Sequence, residues 1–429
     1  LVGELARNKQ TEVGNCAKTF YDFKRVIGRK YNDSQLYKII GNWGFALSES
    51  TDPVRRQQEL PVYTVEAKNG LLREYTAFDL YSILARHLID LAIARLAENE
   101  QLTCITVTVP AHFNSEQRLN TKNSVIAALA ADTPVHILDE PVASVKAYTQ
   151  QGRIDLTTFP PDKYIMVFDL GGGTLDVTIL RKDLHSQSLA VCSSEGFCDL
   201  GGTDFDREIV TFVTNEYKRI TKRVLNKEQK VDLRRNCEAA KITLSFEKSV
   251  SISVNGETTV TLSREKFESL IKNYLRRSTE LIWKAMEPVH IQPEDITDVV
   301  LVGGGSRVPA VLNTLKDFFG SHHPVNLRVD INPTESDAMG AAIYAHSLAQ
   351  QQHPTSTRRP VAEVVTKNDN AVDVQVVLNS SIGFKLSNGN MHFALTKNTP
   401  LPCEFQHHVF PARKGQKKVT VKAFRGECH

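Results

Sequence analysis

The sequence predicts an α/β protein, and two stretches carry that prediction. From Tyr164 to Leu180, two apolar, β-branched runs flank Gly171, Gly172 and Gly173, the pattern of a strand, a tight turn and a second strand. From Val299 to Pro309, another apolar run enters Gly303, Gly304 and Gly305 ahead of a helical pattern. A glycine triplet alone is equally well a flexible hairpin. Glycines without Cβ also let successive N–H groups converge on an anion, and two such turns in one chain point to a nucleotide held at both ends. Asp169 and Asp176 beside the first turn would then face a metal-bound nucleotide, because a bare carboxylate next to phosphate is repelled and Mg²⁺ removes that conflict.

The other elements follow in order. Asn69-Gly70 between Pro61–Glu66 and Leu71–Tyr75 predicts a hairpin. Thr76 to Asn99 predicts a helix whose core stripe is Leu80, Ile83, Leu84, Leu88, Leu91, Ala92 and Leu96. Cys104–Val109 alternates as a strand ending at Pro110, Ser115–Ala131 reads as a helix, and Val135–Leu138 as a buried strand. Asp139 and Glu140 fit either a cap on the helix Val142–Tyr148 or a ligand position outside a strand end. Beyond Leu180 come a strand at Ser188–Ser194 and a helix opened by Asp199 to Asp204 that runs to about Val224. Glu238, Lys241 and Ser245 share one helical face, which suits a surface ion pair or the lining of a sugar and base pocket. Ser249–Leu262 is a hairpin, and Arg264–Met286, Val308–Phe319 and Ile331–Ala349 are helices, the last with Gly340 among small residues that allow close packing. From Gln350 the chain turns polar and Pro/Thr/Arg-rich, and Glu363–His429 carries short strands and no long helix.

Composition bounds the rest. With 429 residues, 41% hydrophobic and 24% charged, there is room for two or three domains. A balance of 52 basic and 49 acidic residues argues against nucleic acid or a membrane surface as the main partner, and Lys414, Lys417 and Lys418 read as a solvated turn. Seven scattered cysteines without C-x-x-C spacing predict reduced thiols and no metal knuckle.

Five motifs together resemble the Hsp70 chaperone family: Phe168–Thr178, Leu138–Tyr148, Leu200–Asp206, Cys237–Ser245 and Leu301–Pro309, in family order and spacing. The resemblance covers Leu1 to about Ala349 and continues more weakly beyond it. It implies an actin-like (ribonuclease H-like) two-lobed ATPase domain over residues 1–349, followed by the start of an all-β substrate-binding sandwich at 381–429. Lobe I would take about 1–160 plus 331–349, lobe II about 161–330, and 350–380 would be a linker.

The same resemblance assigns roles. Lys24, which local pattern alone makes a surface lysine, would position the γ-phosphate and attacking water. Glu140, Asp169 and Thr174 would complete the catalytic set, with Asp169 reaching Mg²⁺ through water and Asp176 beside it. Gly171, Gly172, Gly173, Gly201 and Gly202 would contact phosphates; Glu238, Lys241, Ser245, Gly303, Gly304 and Arg307 would hold adenosine. Pro110 and Arg118, otherwise a strand-ending proline and a helix-face arginine, would relay nucleotide state between domains. ATP and ADP with Mg²⁺ are the implied cofactors. Extended polypeptides, J-domain proteins and nucleotide-exchange factors are the implied partners, and the cytoplasm the implied compartment.

Departures from the family pattern set the alternative. The family's first strand pair and Gly-Thr-Thr-like loop would precede Leu1, so hydrolysis is expected if a longer protein supplies them. Ile242 stands where an arginine stacks on adenine, Gly305 replaces a serine and Thr334 an acidic residue. Polar residues interrupt the linker run Val372–Leu378. The alternative is therefore a nucleotide-binding pseudo-ATPase acting as co-chaperone or exchange factor; a sugar kinase fits the glycine turns but not the trailing β module.

Overall fold

A computed structural model describes residues 1–10, 15–34, 36, 43, 45–67, 69–130, 132–182, 189–256, 258–320, 325–352, 374–375, 381–385, 391–397, 399 and 423–425. The helices are α1 (Gly3–Lys9), α2 (Pro53–Gln57), α3 (Ala77–Ile93), α4 (Ser115–Ala128), α5 (Glu140–Gln150), α6 (Gly202–Thr221), α7 (Lys227–Thr243), α8 (Arg264–Met286), α9 (Pro309–Phe319) and α10 (Ser336–Gln352). The strands are β1 (Leu47–Glu49), β2 (Pro61–Glu66), β3 (Leu72–Thr76), β4 (Ile105–Val109), β5 (Val135–Asp139), β6 (Tyr164–Leu170), β7 (Leu175–Lys182), β8 (Leu189–Phe197), β9 (Ser249–Val254), β10 (Thr258–Ser263), β11 (Ile296–Val302), β12 (Asn326–Arg328), β13 (Val374–Gln375), β14 (Ile382–Lys385), β15 (Met391–Leu395) and β16 (Ala423–Arg425).

The main core forms around a six-stranded mixed sheet ordered β12-β11-β6-β7-β8-β13. Its central strands are largely apolar because both faces are covered, with Asp169, Asp176, Thr178 and Asp298 as buried polar exceptions. Alternation sorts their side chains: Met166, Phe168 and Leu170 pack with Val299 and Leu301 against α6 to α9, while Ile165 and Val167 pack with Val300 and Val302 against α5 and its neighbours. Strands β6 and β11 run parallel and β6 and β7 antiparallel, so both glycine turns emerge at the same end of adjacent strands. Elsewhere β4 and β5 pair in parallel, β1-β2-β3 form an antiparallel sheet, and β9 and β10 form the expected hairpin. Among the described residues no helix is long and apolar enough to cross a membrane.

Several boundaries and faces differ from the sequence reading. Helix α3 starts where expected, with Thr76 and Asp79 forming a reciprocal capping box, but ends at Ile93. Of its apolar stripe, Ile83, Leu88 and Leu91 are exposed, so periodicity identified the helix and misassigned its buried face. Helix α5 begins at Glu140, not Val142, with Pro141 in the first turn, where a missing N–H costs nothing. Asp139 does not cap it; its side chain pairs with Arg118 instead. A 3₁₀ turn, Gly304–Arg307, intervenes before α9. Helix α10 starts five residues late because Asn332 organises a turn, accepting from the Thr334 N–H and, through its carbonyl, from Glu335. Cys104, Cys192, Cys198 and Cys237 are free thiols.

Most of the 350–380 segment, Lys414, Lys417 and Lys418 lie outside the described residues. Within it, β13 adds in parallel to the β8 edge, Val374 opposite Leu189 and Gln375 opposite Ala190. The polar interruptions of that run therefore do not prevent it from pairing. The three-stranded sheet β15-β14-β16 follows, and Lys397 Nζ pairs with Glu195 Oε1 of β8 at 2.5 Å.

Gly340 fixes how α10 meets α5. A Cβ there would lie 1.7 Å from the Ala143 carbonyl oxygen, so the two helices touch backbone to backbone. Gly340→Ala should destabilise the protein by roughly 1–3 kcal/mol in urea unfolding through overpacking. Gly172→Ala, with nothing within 4 Å of the new methyl, should stay within about 0.5 kcal/mol.

Candidate functional site

Three glycine turns close on the end of β6, and the absence of Cβ atoms is what lets them. A Cβ on Gly303, which has φ +79°, would sit 2.3 Å from the Leu170 carbonyl oxygen; one on Gly305 would sit 2.7 Å from Leu170 Cγ. A serine at 305 would collide with Leu170, which is a local reason for that departure. A Cβ on Gly201 would lie 2.5 Å from the Gly172 carbonyl oxygen. Hydrogen bonds lock the turns together: the Gly171 N–H donates to Thr174 O (3.0 Å), Gly202 N–H to Gly171 O (2.9 Å) and Thr203 N–H to Gly172 O (2.8 Å). These bonds use the Gly171, Gly202 and Thr203 amides, so Gly172 and Gly173 are the residues of the first turn whose amides could face an anion.

Beside it stands a group of buried acids with one lysine. Lys24, on a short helical turn Phe23–Arg25, places Nζ 2.6 Å from Glu140 Oε1. Burial works to lower the lysine pKa, but the charge and hydrogen bond of Glu140, with Asp169, outweigh it and hold the ammonium charged. Glu140, Asp169 and Asp337 offer oxygens that all lie within 4.8 Å of one another. Like charges at such separations repel by about 4 kcal/mol per pair at an effective dielectric near 20. Burial first, then the charges of Asp337 and Glu140, raise the Asp169 carboxyl well above its ordinary range. Asp176, directly opposite Asp169 across β6 and β7, is also buried; one oxygen bonds His112 Nδ1 at 2.6 Å and the other has no partner. Hard oxygen donors with uncompensated charge suit a cation such as Mg²⁺.

The structure thus brings Lys24, Glu140 and Asp169 together, with Thr174 buried at the turn and Asp176 drawn to His112. Arg118 donates to the carbonyls of Ala111 and Phe113, both at 2.9 Å, and pairs with Asp139, so it ties the loop after Pro110 to the start of α5. On α7 the expected shared face is divided. Glu238 pairs with Arg7 at 2.5 Å beside a cavity of about 780 Å³. Lys241 instead bonds Asp206 at 2.8 Å and the Gly202 carbonyl at 3.1 Å. Ser245 lies past the helix end at Thr243, its hydroxyl on the Lys241 carbonyl. Ile242 is 56% exposed. Arg307 donates to Asn332 Oδ1 at 2.6 Å, and the Thr334 methyl lies 3.6 Å from a Cβ built on Gly304.

Sequence reasoning missed four residues here: Arg25, His112, Ser144 and Asp337. Arg25 is buried against Gly173 and bonds Asp204 Oδ2 (3.1 Å) and Thr203 Oγ1 (2.9 Å), tying the Lys24 turn to the α6 N-terminus. Its only advance signal was adjacency to Lys24. Asp337 had one, a carboxylate three residues beyond Thr334 at the start of a predicted helix.

Fold and site together define an α/β protein with a cluster of close-packed glycine turns beside a buried carboxylate group. The chain belongs to the Hsp70 family, whose description, Hsp70 protein, matches residues 1–429. It is 31% identical over 440 residues to heat shock 70 kDa protein BIP3 of Oryza sativa subsp. japonica, covering all of this chain and 60% of that protein. It is 29% identical to a heat shock 70 kDa protein of Ajellomyces capsulatus and 28% to one of Trichophyton rubrum, again over all of this chain and 57% and 61% of theirs. The chain therefore spans about 60% of the length of these relatives. Membership implies the actin-like ATPase fold, with which the mixed sheets and flanking helices are consistent.

Replacing Arg25 by methionine should cost about 3 kcal/mol of unfolding free energy, because it leaves the buried Asp204 carboxylate with Arg207 and the Gly201 N–H alone to hold its charge. Adding Asp204→Asn should recover part of that loss; equal stability of Arg25→Met and the parent would show that the pair carries no weight.

Proposed function

We propose that this chain is the nucleotide-switched portion of an ATP-dependent chaperone, binding and hydrolysing ATP to control the capture of unfolded peptide segments. The observation that carries the reading is the convergence of the three glycine turns beside the Lys24–Glu140 pair. Phosphoryl transfer needs mainly positioning and charge neutralisation, and these residues supply both. The amides of Gly172 and Gly173 cradle phosphate oxygens, while those of Gly171, Gly201 and Gly202 hold the turns in place around them. Lys24 Nζ, held by Glu140, lies against the γ-phosphate. Glu140 accepts from the attacking water, and Thr174 orients the same phosphate. Mg²⁺, when bound near Asp169, neutralises phosphate charge. Glu238, Lys241, Ser245, Gly303, Gly304 and Arg307 are its adenosine residues, Glu238 and Lys241 giving up Arg7 and Asp206 to take that role.

In this reading residues 1–349 form the nucleotide-binding domain, 350–380 the linker and 381–429 part of the peptide-binding module. Strand β13 on β8 and Lys397 on Glu195 give it a path of contact, with Arg118 and the Pro110 loop linking that region to α5. J-domain and nucleotide-exchange proteins are its partners, in the cytoplasm. A second reading, a nucleotide-binding pseudo-ATPase serving as co-chaperone or exchange factor, is favoured by Ile242, which removes a cation–π contact of roughly 0.5–2 kcal/mol from adenine.

Single-turnover assays decide between them. Lys24→Ala should abolish cleavage of bound ATP while leaving affinity within a few-fold, and unchanged cleavage removes Lys24 from the mechanism. Binding without cleavage in the parent favours the pseudo-ATPase. Ile242→Arg should tighten ATP about twofold to thirtyfold, the same cation–π range expressed as affinity; no gain refutes the stacking argument.

A further inference from the structure

Away from the acid cluster, α6 and α8 border a cavity of about 350 Å³ that the nucleotide reading leaves unused. Its walls gather arginines from three separate stretches of chain: Arg25 beside Lys24, Arg207 of α6 and Arg277 of α8. Each is held in place. Arg25, only 7% exposed, reaches Thr203 and Asp204. Arg207 donates to the Tyr274 hydroxyl at 3.1 Å and pairs with the other oxygen of Asp204 at 2.9 Å. Arg277 pairs with Asp199 Oδ1 at 2.8 Å, and its Cζ lies 4.8 Å from the centre of the Phe197 ring, a stack that keeps the guanidinium fork in one plane.

Hydrogen-bonding capacity then shows what the cavity would take. All of these bonds leave through Nη2 atoms, so among the described residues the Nη1 and Nε donors of the three arginines meet no acceptor. Arg25 Nε is buried without a partner. The acids alongside are already engaged: Asp204 is shared by two arginines, and Glu208 Oε1 accepts from Tyr274 at 2.9 Å. Asp199, Asp204 and Glu208 balance the three arginines in charge, so the surplus is one of donors over acceptors. Asp199 stands at the rim with its side chain 30% exposed, and it can yield Arg277 to a better acceptor. Guanidinium forks match the oxygens of a phosphate group in pairs. The volume is at the small end of the roughly 300–1,000 Å³ range of small-molecule sites, and Tyr274 with Leu270 offers a wall for a few carbon atoms.

We infer that this cavity binds the dianionic phosphate group of a small phosphate compound, held by Arg25, Arg207 and Arg277, at a site separate from the glycine turns. Nucleotide binding is not required for it, so it stands or falls apart from the ATPase reading.

Isothermal titration calorimetry of the whole chain with inorganic phosphate and with glycerol 3-phosphate tests it, sodium chloride keeping the ionic strength constant. Both should bind saturably and raise Tm, and glycerol should do neither. Tighter binding of glycerol 3-phosphate assigns an organic ester, equal affinity assigns free phosphate, and either upholds the site. Arg277→Gln should weaken binding about tenfold or more, the loss of a charge-assisted pair, and Arg277→Lys, which keeps the charge without the fork, should recover only part. Asp199→Asn should act in the opposite sense, tightening binding several-fold because Arg277 loses its competitor. A purely structural role for the pair would leave affinity unmoved in both or lower it in both. Absence of saturable binding in the parent overturns the proposal. So does binding lost in Lys24→Ala and kept in Arg277→Gln, which would put the anion at the glycine turns.

Discussion

Everything at this site depends on backbone approaching backbone without side chains between. At the end of β6 the Leu170 carbonyl is overlain by Gly303 and Gly305, the Gly172 carbonyl by Gly201, and on the far face Gly340 rests on Ala143. Each contact is one that a single methyl would break. Together they bring β6, β11, α5, α6 and α10 to one point, where the Gly171, Gly202, Thr203 and Gly303 amides bond neighbouring backbone carbonyls.

The second constraint is electrostatic and follows from the first. Packing α5, β6 and α10 so closely gathers Glu140, Asp169 and Asp337 into a volume that water solvates poorly, with Lys24 as one counter-charge. Burial and the Glu140 charge push the Asp337 carboxyl up to about 7. A fold does not keep such a group for stability alone, since an apolar cluster of the same shape would cost less. Around it, Arg118 on Asp139 and Arg25 on Asp204 give neighbouring buried acids a charged partner, while Asp176 has one oxygen on His112 and the other unpartnered.

How much of this the sequence disclosed depends on the range of the interaction responsible. The glycine turns and the helix Arg264–Met286 were legible because local pattern and local geometry agree there. The exposed side of α3 was not, since a stripe of leucines says that a face is apolar without saying what covers it. Lys24 and Glu140, 116 residues apart, could be paired only through resemblance to a family. Asp337 and Ser144, 193 apart, escaped even that, because the resemblance carries no role to either position.

The central claim is that the glycine cluster and its neighbours bind a nucleotide. Hydrogen exchange with and without Mg·ATP tests it most directly, because the amides concerned are named. The account predicts slowed exchange in peptides covering 168–176, 199–206 and 301–309, with little change in the β9–β10 hairpin. Protection confined to other segments, or none at saturating ATP, would contradict it.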